Sequence, residues 1–101
     1  MTKKEVQQRV LKDGRPLGLD KFEWDEKTNT FSSSENYLVL DFNGVSDCTF
    51  NTGSNCTFNT DKNCVVVRRD IYEVIELKAG QKIKLKNYDI KGYNILEEEK
   101  L

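Results

Sequence analysis

Residues 48–55 read CTFNTGSN and residues 56–63 read CTFNTDKN, identical at six of eight positions. A tandem repeat constrains the fold more than any other feature of a chain, because each copy must solve the same burial problem. The register extends back through 40–47 (LDFNGVSD) and forward, more weakly, through 64–67 (CVVV). First positions are then Leu40, Cys48, Cys56 and Cys64, and third positions are Phe42, Phe50, Phe58 and Val66.

Eight is not a multiple of the helical turn, and within each unit the pattern alternates. Cys48 and Phe50 fall on one face, Thr49 and Asn51 on the other. Period two marks a strand with one buried side, and Thr, Phe and Cys suit a pleated surface. Each unit closes on Thr52-Gly53-Ser54-Asn55 or Thr60-Asp61-Lys62-Asn63, residues that accept positive φ or bond their own backbone in turns. An octad is thus one short strand plus one tight corner, and it cannot bury its apolar face alone. Stacking units about 4.8 Å apart would build a core with Leu40, Phe42, Cys48, Phe50, Cys56, Phe58, Cys64 and Val66 in ladders. This predicts a mainly β chain built around a short octapeptide-repeat β-solenoid. Two units per turn would make a flat roll with Cys48 near Cys64 and Leu40 near Cys56. Three chains contributing one octad each would make an intertwined trimer.

The flanks read as caps and a meander. Thr2-Lys3-Lys4-Glu5 is a capping box, and Val6 and Val10 share a helical face, which predicts a helix over 3–12 ended by Gly14 and Pro16. Phe22 and Trp24, a turn at 25–29 and Thr30-Phe31-Ser32 predict a hairpin. Residues 1–36 would then cap the open strands of the repeat region, 37–67. Residues 68–96 would form C-terminal antiparallel strands, with Lys78-Ala79-Gly80-Gln81 as a turn, Ile83 and Leu85 inward, and Tyr88, Ile90, Tyr93 and Ile95 on a last strand bent at Gly92. The acidic end, 97–101, would fray. At 101 residues the whole is one domain.

The octads, the stretch Val65-Val66-Val67-Arg68-Arg69-Asp70-Ile71-Tyr72-Glu73-Val74-Ile75, and the upstream Leu11-Lys12-Asp13-Gly14 and Phe22-Glu23-Trp24-Asp25 resemble small uncharacterised bacteriophage and prophage proteins with tandem C-T-F-x-T-G-x-x repeats. The resemblance implies a viral or mobile-element origin and transfers no residue roles.

Composition excludes several chemistries. Sixteen Lys and Arg against 17 Asp and Glu argue against nucleic-acid binding driven by whole-chain charge. There is no His, so Ser-His-Asp triads and imidazole-dependent zinc sites are out. Cys48, Cys56 and Cys64 have C-x7-C-x7-C spacing and no fourth thiol; the repeat accounts for them as small core hydrophobes, so no metal or other cofactor is expected. Neither a nucleophile motif nor a phosphate loop appears, so no catalytic residue is assigned. No apolar run suggests a signal peptide or membrane span. Lys82, Lys84 and Lys86 on one side of a strand, with Arg68 and Arg69, are the candidate partner-binding residues; the competing reading is that the lysines guard a sheet edge.

The lack of catalytic motifs, with the phage or prophage origin that the resemblance implies, leads to an expected non-catalytic, phage-encoded protein-interaction module; by analogy of origin and small size it would be an inhibitor of a host defence complex of the anti-CRISPR type. The alternative is an oligomeric structural part of a virion. Its partner would be a protein of the host or phage, the protein itself a homo-oligomer (dimer or trimer), and its location the host-cell cytoplasm or the virion.

Overall fold

The computed structural model describes residues 1–98. Its elements are α1 (Lys3–Gln7), β1 (Val10–Lys12), β2 (Arg15–Pro16), a 3-10 turn (Leu19–Lys21), β3 (Glu23–Asp25), β4 (Thr30–Ser32), β5 (Leu38–Phe42), β6 (Thr49–Thr52), β7 (Thr57–Thr60), β8 (Cys64–Arg68), β9 (Val74–Leu77), β10 (Gln81–Leu85) and β11 (Tyr93–Glu98). They form two mixed sheets, one ordered β11-β10-β7-β5-β1-β2 and the other β3-β4-β6-β8-β9. The short helix α1 packs beside β1 and β3.

Consecutive strands from β4 to β8 alternate between the sheets. Each therefore pairs in parallel with the strand two places on: β4 with β6, β5 with β7, β6 with β8. A parallel pair ordinarily needs a long crossover. Here the strand between lies in the opposite sheet and serves as that crossover, so corners of a few residues suffice. The corners end on left-handed residues at octad spacing, Asp47, Asn55 and Asn63, with φ of 61°, 57° and 60°. Asp and Asn tolerate this conformation better than other non-Gly residues.

The solenoid expectation is overturned: neither sheet closes or curls into one. The reason is copy number. Two clean octads supply too few strands for a repeat-only core, and non-repeat segments complete both sheets as antiparallel neighbours. β1 and β10 flank the first sheet's parallel pair, while β3 and β9 close the second.

The register of the first unit also differs from its expected phase. Leu40 lies opposite Phe58, and Phe42 opposite Thr60, so Leu40 is not the partner of Cys56. The segment 38–47 is two residues longer than an octad, and the surplus sits in the Asn43–Asp47 corner, where Gly44 has φ of 81°. An earlier unit lies hidden at 29–36, NTFSSSEN, with Thr30 and Phe31 paired to Thr49 and Phe50.

All eight repeat-ladder residues are buried, together with Val6, Val10, Leu17, Phe22, Phe31, Leu38, Ile75, Leu77, Ile83 and Leu85. Phe50 is the hub. Its ring meets Phe42 edge-on at 4.9 Å, Phe58 at 5.3 Å and Phe31 at 6.4 Å between centroids. These tilted and edge-to-face arrangements are the ones aromatic quadrupoles favour.

The expected helix over 3–12 stops at Gln7. The capping box forms, with Thr2 and Glu5 bonding reciprocally. Val10, however, is buried from a strand, opposite Leu40. The Asp13-Gly14 pair, both residues at positive φ, turns β1 into β2 as a hairpin signal and does not cap a helix. A β-branched Val10 beside that turn favours strand over a further helical turn. No described helix is long and apolar enough to cross a membrane.

Candidate functional site

The three thiols are structural. Cys48 and Cys64 precede paired residues of β6 and β8, and each thiol donates to the carbonyl two residues back: Cys48 to Ser46 at 3.5 Å, Cys56 to Ser54 at 3.5 Å, Cys64 to Lys62 at 3.6 Å. Burial, and then the neighbouring Cys64, push the Cys48 thiol up to about 11. Burial also raises Cys56. Thiols held protonated in this way are poor nucleophiles and poor metal ligands. Among the described residues no group of three or more His, Cys, Asp or Glu is arranged to hold a metal ion.

The five expected partner-binding cations do not form one patch. β10 is an interior strand between β7 and β11, so its lysines do not guard an edge. Lys82 stands opposite Glu97 on β11 and shares a shallow cleft with it. Lys84 is half-buried with its ammonium 5.9 Å from the Tyr37 ring centre, a cation–π distance. Lys86 is exposed beyond the end of β10, and Arg69 is exposed beyond the end of β8. Arg68 is no surface cation: its side chain is 0% exposed.

Arg68 occupies the fifth position of its unit. The equivalent residues Ser33, Phe42, Thr52 and Thr60 are also buried, so the alternation of each strand carries this position inward before the corner. The guanidinium pairs with Asp70, and with Glu73 at 3.2 Å. It also donates to the carbonyls of Ile90, of Asn87 at 3.2 Å and of Lys86 at 3.4 Å. The two carboxylates reach across as well. Asp70 accepts from the Asp89 N–H at 3.1 Å, and Glu73 from the Gly92 N–H at 2.8 Å. Burial pushes the Asp70 carboxyl up, but the hydrogen bonds from Arg68 and Asp89 outweigh it and hold the group below its ordinary range. Only Arg has a planar fork able to serve two carboxylates and several carbonyls at once.

This cluster ties loop 69–73 to loop 86–92. The second loop is closed by Lys86 N–H donating to the Gly92 carbonyl at 3.0 Å. It is further anchored by a repeat corner, because Asn55 donates from its side chain to Asn87 Oδ1 at 2.9 Å and from its backbone to the Lys86 carbonyl at 3.2 Å. A last strand containing Tyr88 and Ile90 is thereby corrected: both sit in the loop, and β11 begins at Tyr93.

What the braced loops present is apolar and aromatic. Tyr72 is 92% exposed, Tyr88 66% and Ile90 51%. Tyr88 lines a shallow cleft of about 270 Å³ with Arg69, Asp70, Asn36, Ser34 and Gly53. A Cβ on Gly53 would fall 1.9 Å from Asn36 Oδ1, the atom that accepts from the Ser54 N–H, so only Gly fits the cleft floor without breaking that bond. Tyr72 and Tyr88 were not legible as surface groups from spacing alone. The available signal was the polar stretch Arg69-Asp70-Ile71-Tyr72-Glu73 between two strands, where a large ring has no alternating neighbours to pack with.

No protein-family model, curated protein or solved structure matches the chain.

Proposed function

We propose that the protein is a non-catalytic protein-interaction module that engages its partner through the end of the sandwich where loops 69–73 and 86–92 meet. In the phage setting implied by the octad resemblance, the partner is a host protein complex that the module occupies and inhibits. The observation that carries this reading is the exposure of Tyr72, Tyr88 and Ile90 on loops braced by a buried charge cluster. Tyr supplies large contact area at low entropic cost, and Tyr and Arg dominate binding hot spots. Loops already ordered before contact lose less freedom on association. Isolated exposed apolar residues need no explanation, but these three stand on two loops that are tied to one another.

The test compares wild type with the Tyr72→Ala, Tyr88→Ala double variant as bait in lysate of the bacterial host. A stoichiometric partner retained by wild type and depleted about tenfold or more by the variant is the expected result. Equal capture by both, or recovery of the protein mainly as a component of purified particles, would remove the reading in favour of a structural role.

A further inference from the structure

The exposed charge at this end is one-sided. The carboxylates of Asp70 and Glu73 turn inward to the buried Arg68, whose single positive charge balances one of the two, so the two loops with Arg68 carry a small net positive charge. Arg69, Lys86 and Lys91 are exposed, and among the described residues none of them takes part in an ion pair. Asp89 is the only exposed carboxylate on the two loops. The protein as a whole carries a net charge of −1, so this local excess of cations is not a reflection of a basic chain.

Resting on the reading of this end as the interaction surface, we propose that it is a preformed dock for an acidic protein segment that carries apolar side chains. Arg69, Lys86 and Lys91 would face carboxylates, and Tyr72, Tyr88 and Ile90 would take the apolar groups between them. A protein partner fits better than a nucleic acid. Three cations against one carboxylate give a weak phosphate grip, since each phosphate contact adds only one released counterion. Ile90 offers nothing to a phosphate backbone, whereas mixed acidic and apolar segments use both kinds of group. Charges of this sort act on the encounter rate and on the choice of partner.

Arg68 also sets where the carboxylates of Asp70 and Glu73 lie. Sunk in the core, its guanidinium draws both carboxylates inward and, through their bonds to Asp89 and Gly92, holds the loops in place.

Fluorescence anisotropy of the full chain with a labelled peptide rich in Asp and Glu and carrying Leu and Phe tests the proposal. The comparison probes are the same peptide with its acids replaced by Gln and Asn, and a labelled DNA duplex. Binding of the acidic peptide, weakened about tenfold or more by the Arg69→Glu, Lys91→Glu variant and by added salt, is the expected result. Both substitutions are at exposed positions, and an unchanged unfolding midpoint shows that the variant is folded; an Arg69→Gln, Lys91→Gln variant serves if it is not. Equal binding of the neutral peptide, tighter binding of the duplex, self-association through the tip, or no detectable binding of the acidic peptide each overturns the proposal. Loss of partner capture on removing Tyr72 and Tyr88, with no effect of charge reversal, overturns the acidic dock and leaves the interaction module standing. If neither pair of substitutions matters, both readings fall.

Discussion

Arg68 shows how one side chain can be both a core residue and an organiser of surface. A buried cation is costly unless every donor is used, and this one meets two carboxylates and three carbonyls. Removing the guanidinium would leave Asp70 and Glu73 uncompensated, the situation in which buried pairs cost most to break. Asp70 gives the cleaner experiment. Its carboxyl is held below the ordinary value in the folded state, so the folded protein binds that proton less readily than the unfolded chain. The resulting stability is fully present above the unfolded value, about 4, and is lost as pH falls through the lower folded value. Asp70→Asn should therefore lower stability at neutral pH by about 1–3 kcal/mol, with a difference from wild type that shrinks in acid. Urea midpoints measured from neutral pH down through the carboxylate range check both the size and the slope; a gap that widened in acid would contradict the assignment.

At the scale of elements, the octad sets which sheet a strand enters. Because β5, β6, β7 and β8 alternate between the sheets, the period that matters to pairing is two octads. Inserting one extra copy of 56–63 after Asn63 would deliver Cys64–Arg68 to the wrong sheet and separate it from Thr49–Thr52. Inserting 48–63 as a block adds one strand to each sheet and returns β8 to its own. The single insertion should lose cooperative unfolding, and the double should keep both the β signal and a sharp transition, as read by far-ultraviolet circular dichroism during thermal denaturation. The Asn43–Asp47 corner shows that a two-residue surplus is absorbed without loss of parity, since Gly44 and Asp47 at positive φ let it loop out of the pairing region.

At the scale of the whole molecule, the core is one aromatic cluster shared by two thin sheets. A chain of this length buries only about two-thirds of its unfolded surface and has a total stability of about 5–15 kcal/mol. Phe50 touches rings from both sheets, Phe31 on its own side and Phe42 and Phe58 across the interior. Phe50→Ala should cost about 3–5 kcal/mol, a large share of the total, measured as a shift in urea midpoint at constant slope. A loss below about 1 kcal/mol, the range of volume-conserving exchanges, would mean that the cluster can collapse around the gap and is not the hub described.

The repeat and its alternation determined by themselves that the chain is mainly β, where β6 and β7 lie, and which side of each carries the Cys and Phe side chains. These are local facts, written in period two and in the positive-φ tolerance of Asn55 and Asn63. Tertiary structure alone decided the rest. A capping box cannot announce that Val10 will find more burial opposite Leu40 than on a helix, and an isolated Arg at the end of a strand carries no sign that two later loops will close over it. A short unit names its own inner face, but whether its neighbours continue in parallel or are replaced by antiparallel strands depends on how many copies exist to cover the core, which only the assembled chain resolves.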